Sequence, residues 1–138
     1  MTYTTTATAV RGVLLAAALL LAAAAPARAA RQETSPGDWL RLTVTHGDAW
    51  PGGTRGTLLL CDPPRGHARA AEACDRLDAA GGDIDRIPVR DTLCTMVYAP
   101  VTVRAHGRWH GRPVAYERTF GNDCELAART GPVFALDG

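Results

Sequence analysis

Val101-Thr102-Val103-Arg104-Ala105 and Val114-Ala115-Tyr116-Glu117-Arg118-Thr119-Phe120 alternate between apolar and polar residues on either side of a Gly-containing segment, His106 to Pro113. Such alternation is typical of half-buried strands, and two runs around a turn indicate a β-hairpin. Three further segments are rich in β-forming residues and predict strands: Trp39 to Thr45, Thr57 to Cys61 and Val133 to Leu136. Segments rich in Pro and Gly predict loops at Asp48 to Gly56 and Asp62 to Gly66. An antiparallel sheet is therefore the expected framework.

Two segments between the predicted strands have helical character. Ala68 to Ala80 predicts a helix, because Ala71, Cys74, Leu77 and Asp78 follow at three- and four-residue intervals and Gly81-Gly82 provides a C-terminal stop. The side chains that we expect to face inward are Ala71, Cys74 and Leu77. Asp123 to Arg129 predicts a second, short helix. Strands that are joined locally, with helices outside them, favour an α+β fold in which the helices cover one face of the sheet.

The first 29 residues have the organisation of a signal peptide. Arg11 supplies a positive charge, Val13 to Ala25 is an apolar run, and Ala27-Arg28-Ala29 fits a cleavage site. The run is shorter than the roughly 20 residues that span a bilayer, so we expect export with cleavage after Ala29 or Ala27. Residues 30–37 are polar and predict a flexible arm, and residues 38–138 predict a single domain.

Charge and composition exclude several classes of partner. All 15 basic residues are Arg, against 14 acidic residues. Two Arg leave with the signal peptide, so the mature chain has thirteen Arg, fourteen acids and a net charge of −1. Scattered Arg in a near-neutral chain predicts no basic patch, and we therefore expect neither nucleic acid nor a membrane as a partner.

The residues that could support catalysis do not form a recognisable site. Ser35, the only Ser, lies in the predicted arm, where no base can be held within hydrogen-bond reach, and the chain has no Lys. Asp83 and Asp85 lie in a Gly-rich turn, where two close carboxylates are more often solvated loop residues than a catalytic acid and base. His106 and His110 lack the third ligand that catalytic zinc normally takes. We expect a protein that is not an enzyme and has no metal or cofactor.

Four Cys in a small exported chain predict two disulfides. The Cys are at positions 61, 74, 94 and 124, so no two form the close pair that typically supplies zinc ligands. Three pairings of the four Cys are open from the residues alone.

One apolar segment, Leu93-Cys94-Thr95-Met96-Val97-Tyr98-Ala99-Pro100, precedes the hairpin. The β-branched Val97 is stiff and Pro100 restricts the backbone, which favours an extended loop. Protease clefts bind extended segments of this kind. From the residues alone, Met96 and Val97 could equally belong to a buried strand.

This segment, with the four Cys around it, resembles the reactive-site region of the Streptomyces subtilisin inhibitor family. Other segments resemble the family in the same order: Leu77 to Asp83, Tyr116-Glu117-Arg118 and Val133 to Leu136. The resemblance implies a five-stranded antiparallel sheet with two helices on one face, and a homodimer formed through the sheet. It also implies the disulfides Cys61–Cys74 and Cys94–Cys124. Thr95 is a departure, since some members have Pro there.

The function that the resemblance implies is secreted, proteinaceous inhibition of subtilisin-type serine proteases. The scissile bond would join Met96 to Val97, within a rigid loop that includes Leu93, Cys94, Thr95 and Tyr98. Asn122 and Cys124 would support the loop, although Asn122 could equally be a turn residue in Gly121-Asn122-Asp123. The expected partners are extracellular subtilisin-like proteases, with chymotrypsin-like proteases weaker and trypsin poor. The alternative is a secreted, disulfide-stabilised interaction protein without a protease target.

Overall fold

The computed structural model describes residues 37–47 and 53–137. Within them the chain forms an antiparallel sheet of five strands in the order β3-β2-β1-β4-β5, with two α-helices, which confirms the predicted α+β class. The bounds are β1 Trp39–His46, β2 Thr54–Cys61, β3 Pro64–Arg65, α1 Ala70–Ala79, β4 Val101–Trp109, β5 Arg112–Phe120 and α2 Asp123–Thr130. A single 3₁₀ turn, Ile84–Arg86, follows α1. The predicted signal peptide (1–29), nearly all of the predicted arm (30–36) and Trp50 lie outside the described residues.

The predicted last strand, Val133 to Leu136, is wrong. This segment is a turn followed by coil, in which the Val133 and Ala135 N–H groups donate to the Thr130 and Pro132 carbonyl oxygens at 3.4 and 3.1 Å. The fifth strand is instead Pro64–Arg65, which pairs with Cys61 and Leu60 in a segment that we predicted to be loop. Val133 and Phe134 are nevertheless buried, so their apolar character reflects core packing and not a strand.

The boundaries of β2 and of the β4–β5 hairpin also differ from the prediction. β2 begins at Thr54, because Gly56 pairs with Thr43 inside the ladder and does not end it. The hairpin of β4 and β5 continues to Trp109 and Arg112, and only two residues form its turn. These are His110 and Gly111, with φ of 48° and 75°. Two consecutive residues with positive φ match the twist of the flanking strands, which explains why the turn is tighter than the predicted His106 to Pro113.

Helix α1 buries Cys74 and Leu77 as predicted, but the prediction for Ala71 is wrong. Ala71 is exposed, and the buried side chains are Ala70, Ala73, Cys74 and Leu77. This is the i, i+3, i+4, i+7 pattern of a helix with one face on a core. Because Ala70 and Ala71 are adjacent and identical, the sequence did not indicate which of them faces the core, and so left the rotation of the helix about its axis (its phase) undetermined.

The core lies between one face of the sheet and the helices. Leu40, Leu42 and Val44 from β1 alternate inward with Leu59, Val101, Val103 and Ala105 from the neighbouring strands, and they meet Leu77, Leu126, Val133 and Phe134. Full burial of one such side chain contributes about 1.5–3 kcal/mol. Among the described residues, no helix covers the opposite face, which we call the open face. Two disulfides, Cys61–Cys74 and Cys94–Cys124, add covalent constraints, with Cα atoms 5.5 and 5.6 Å apart.

Among the helices of the described part, none combines the length and the apolar character that crossing a bilayer requires.

Candidate functional site

The segment Leu93 to Pro100 forms an exposed loop outside the sheet. It has no regular secondary structure, and β4 begins directly after it at Val101. The side chain of Met96 is 99% exposed and that of Leu93 100% exposed, and Val97 and Tyr98 are 66% and 77% exposed. The alternative that Met96 and Val97 belong to a buried strand is therefore wrong. A row of exposed apolar side chains on a small domain marks an interaction site.

The N-terminal side of the loop is attached to helix α2. The Arg90 N–H donates to the carbonyl oxygen of Ala128 at 2.7 Å. Four residues later, Cys94 is bonded to Cys124 in the first turn of the same helix. The two attachments lie on either side of Asp91 to Leu93, so the loop enters its exposed part from a fixed position.

The C-terminal side of the loop is attached to Gly121, two residues before α2, and to the residue that follows β1. The Ala99 N–H donates to the Gly121 carbonyl oxygen at 2.8 Å, and the Gly47 N–H donates to the Pro100 carbonyl oxygen at 2.8 Å. Val101 then pairs with His46 and Phe120 in the sheet. The exposed apex around Met96 is thus held at both ends by backbone contacts to regular structure.

Both side-chain polar atoms of Asn122 form hydrogen bonds, and one of them binds the loop around Met96. Its Nδ2 donates to the carbonyl oxygens of Thr95, at 3.2 Å, and Val97, at 3.0 Å. Its Oδ1 accepts from the Glu125 N–H at 3.0 Å and caps α2, where Asn is a favoured N-cap. One side chain therefore joins the helix N-terminus to the two carbonyl groups that flank Met96.

Further residues complete this support, and our sequence reasoning did not single them out. Glu125 Oε2 accepts from the Gly121 N–H at 2.9 Å and so helps to position the residue whose carbonyl oxygen accepts from Ala99. His46 Nε2 and Asp123 Oδ1 are 2.9 Å apart, next to the Gly47 contact. The spacing of Asn122 and Glu125 is close to that of a capping box, and this signal could have identified Glu125.

The other polar candidates do not gather into a site. Asp83 accepts from the Asp85 N–H at 3.1 Å, and Asp85 pairs with Arg118 at 2.9 Å. His110 lies 3.1 Å from Asp38, whereas His106 lies on the open face opposite Arg41. Within residues 37–47 and 53–137, no group of three His, Cys, Asp or Glu could hold a metal ion. What the loop offers is a row of exposed apolar side chains on a segment that is attached at both ends.

The comparisons with known proteins agree with that chemistry. A family model described as subtilisin inhibitor-like matches residues 36–122. The chain belongs to the subtilisin inhibitor-like family. This is a family of protease inhibitors and not of enzymes.

Three individual comparisons illustrate the family relationship. A protein of Streptomyces avermitilis is 57% identical over 133 residues, which are 96% of this chain and 90% of that protein. A subtilase-type protease inhibitor of Streptomyces fradiae is 47% identical over 106 residues, covering 72% of this chain and 74% of the relative. The crystal structure of Streptomyces caespitosus sermetstatin in complex with Bacillus licheniformis subtilisin matches with a TM-score of 0.55 and 36% identity, over 70% of this chain and 96% of that one.

Proposed function

We propose that this protein is a secreted inhibitor of subtilisin-type serine proteases that binds its target as a substrate would. The observation that carries the proposal is the fully exposed Met96, held in a loop that is attached at both ends. We propose Met96–Val97 as the bond that enters the catalytic site. The family relationship supports the class of target, since the matched sermetstatin structure contains subtilisin.

The attachments of the loop explain why it would inhibit and not simply be cleaved. A loop held beforehand in its bound shape loses little conformational entropy on binding, so more of the contact energy is retained as affinity. If the Met96–Val97 bond is cut, Cys94–Cys124 and the Asn122 hydrogen bonds keep the new amine next to the acyl group. The effective concentration of that amine is then high, and resynthesis of the peptide bond competes with hydrolysis.

The exposed side chains of the loop indicate the proteases that would be bound. Met96 is unbranched and flexible and suits an apolar primary pocket of loosely defined shape. Leu93, three residues earlier and fully exposed, would fill a second apolar pocket. We propose subtilisin-like proteases as the main targets and chymotrypsin-like proteases as weaker ones. Trypsin would bind poorly, because no cationic side chain occupies the primary position.

Secretion and the homodimer form the remainder of the proposal. Secretion is supported by the signal-like residues 1–29 and by two disulfides, which persist in oxidising compartments. The homodimer would form through the open face. Leu58 on this face is 38% exposed and is paired with Arg41, and the next pair along the same face is Trp39 with Leu60. An aromatic and aliphatic cluster of this kind is typical of interface cores. Each protomer would carry its own reactive loop.

The experiment that tests the inhibitory function is a titration of active-site-counted subtilisin with the purified mature chain, followed as residual activity. A linear fall to zero near one active site per protomer is expected, with slow cleavage confined to Met96–Val97. Undiminished subtilisin activity, with or without rapid digestion of the chain, would contradict the proposal. It would favour the secreted interaction protein without a protease target.

A further inference from the structure

Glu125 belongs to the first turn of helix α2, but its side chain contacts the segment that holds the exposed loop. Oε2 of its carboxylate accepts from the Gly121 N–H at 2.9 Å, and the Gly121 carbonyl oxygen accepts from the Ala99 N–H at 2.8 Å. The contact between Glu125 and Gly121 is partly buried, so water competes with it less than with a contact at the open surface. Two hydrogen bonds in series therefore connect α2 to Ala99, three residues after Met96.

These two hydrogen bonds act on one side of the proposed scissile bond. Ala99 lies on the C-terminal side of Met96–Val97, the side that carries the new amine after cleavage. The disulfide Cys94–Cys124 holds the N-terminal side, and Asn122 binds carbonyl oxygens on both sides. Loss of the Glu125 carboxylate should therefore loosen the amine side while the acyl side stays attached.

The geometry of the Glu125 carboxylate fixes its direction as well as its position. Arg129 Nε lies 3.6 Å from the other carboxylate oxygen, Oε1, so both oxygens have partners. The Glu125 backbone N–H donates to Asn122 Oδ1 at 3.0 Å, and this contact is kept when only the side chain is changed. A side-chain variant of Glu125 thus separates the contact to Gly121 from the cap of α2.

We propose that Glu125 is a positioning residue that sets how often the cleaved loop is rejoined and how often it is hydrolysed. The inference rests on the proposed function, since it needs a protease that attacks Met96–Val97. In the acyl-enzyme, the Met96 carbonyl carbon is esterified to the protease serine. When the Val97 amine attacks this carbon, the peptide bond forms, the ester C–O bond breaks and the amine proton passes to the serine oxygen. When water attacks instead, the serine is released and Met96 ends as a carboxylate.

The outcome of this competition depends on how closely the Val97 amine is held to the ester. Val97 and Ala99 are two residues apart, so their Cα atoms are separated by at most about 7 Å. Fixing Ala99 therefore confines the amine to a small volume beside the acyl group. A hydrogen bond to an ionised carboxylate is stronger than one between neutral groups, which makes Glu125 an effective anchor for Gly121.

The equilibrium between the intact and the cleaved chain, reached from both directions with a catalytic amount of subtilisin, tests the proposal. We expect Glu125→Ala to raise the ratio of cleaved to intact chain about fivefold or more. Glu125→Gln keeps an oxygen that can accept from Gly121 and should restore most of the native ratio. Glu72→Ala removes the first-turn acid of α1, which pairs with Arg69, and should leave the ratio unchanged. A native ratio in Glu125→Ala, an equal rise in Glu72→Ala, or no restoration in Glu125→Gln would overturn the proposal.

Amide hydrogen exchange of the free protein adds a measurement that needs no protease. In Glu125→Ala, the Ala99 amide should exchange about fivefold or more faster than in the native chain. The Arg90 amide, bound to the Ala128 carbonyl oxygen on the other side of the loop, should be unchanged. Equal acceleration of both amides would indicate a general loosening of α2 and would overturn the proposal.

The native chain in the same subtilisin assay separates this proposal from the proposed function. Undiminished subtilisin activity with the native chain would overturn both. Stoichiometric inhibition by the native chain, together with a native ratio and native Ala99 exchange in Glu125→Ala, would overturn only the role of Glu125.

Discussion

Met96 lies in the exposed loop, whereas Asn122 supports the loop from outside it. Met96 contributes a side chain that touches almost nothing in the free protein, since it is 99% exposed. Asn122 contributes contacts only inside the protein, to Thr95, Val97 and Glu125. Substitutions of Met96 should therefore alter which protease is bound, whereas substitutions of Asn122 should alter how fast the loop is cleaved.

Met96→Lys should move inhibition from subtilisin towards trypsin. The proposed primary side chain becomes cationic while the loop and its attachments are unchanged, so we expect trypsin inhibition to improve about tenfold or more, equivalent to about 1.4 kcal/mol. Inhibition constants for both proteases measure the effect. Tyr98→Lys places the same charge two residues away and should not create trypsin inhibition. If Met96→Lys leaves both constants unchanged, Met96 is not the primary residue.

Asn122→Asp should weaken the loop without weakening helix α2. Asp retains an oxygen that can cap the Glu125 N–H but lacks the amide that donates to Thr95 and Val97. Two lost hydrogen bonds of about 1 kcal/mol each predict an inhibition constant about 10- to 100-fold higher and faster cleavage after Met96. Thermal unfolding should change little. Asn122→Ala, which removes both functions, should in addition lower stability by about 1 kcal/mol. Unchanged cleavage of Asn122→Asp would show that the two hydrogen bonds do not protect the loop.

Sequence patterns predicted strands and helix ends correctly where the backbone conformation depends on neighbouring residues. The alternating residues of β4 and β5 and the β-rich run of β1 predicted three strands correctly. Gly81-Gly82 correctly predicted the end of α1, and both have positive φ, 65° and 80°. The prediction failed for Val133 to Leu136, because burial of apolar side chains is common to core turns and strands. Only the Thr130 and Pro132 carbonyl contacts distinguish the two.

The two glycines after α1 provide a matched pair for testing this junction. A Cβ on Gly82 would come within 2.4 Å of Trp109 Cγ, whereas one on Gly81 would meet nothing within 4 Å. We expect Gly81→Ala to cost about 1 kcal/mol from its positive φ alone. Gly82→Ala should cost about 3 kcal/mol, because overpacking against the buried indole is added. Urea unfolding of both variants measures the difference, and equal losses would contradict the packing argument.

For the whole molecule, His67 joins two distant parts of the chain. In the buried ring, Nε2 donates to the Val133 carbonyl oxygen at 3.1 Å, and Nδ1 accepts from the Arg69 N–H at 2.8 Å. The neutral ring, which has one N–H and one unprotonated nitrogen, can make both contacts. Burial is the main cause that lowers the pKa of His67 below 6.5; the charge of Arg69 lowers it further, while the Val133 contact opposes the shift.

Stability should accordingly fall in mildly acidic solution. Because the pKa is lower in the folded state, the unfolded chain binds more protons below pH 6.5. The contribution of His67 is complete above that pH and is lost as the pH falls through the lowered folded pKa. Urea unfolding at about pH 7.5 and about pH 5.5 should show this loss in the native chain. His67→Gln, which cannot titrate but can donate to Val133, should show a smaller difference. An identical pH dependence would exclude His67 as its source.

The sequence alone predicted the fold class, most strands and both helices. These features depend on alternation, helical spacing and turn residues that are close together in the chain. It did not determine the phase of α1, the place of Pro64–Arg65 in the sheet or the Asn122 contacts to Thr95 and Val97. These features depend on tertiary contacts, as does the proximity of Arg41 to Arg104 and Arg108. Strand register and helix docking bring together residues that are far apart in the chain, and nothing in the local sequence indicates that they are close.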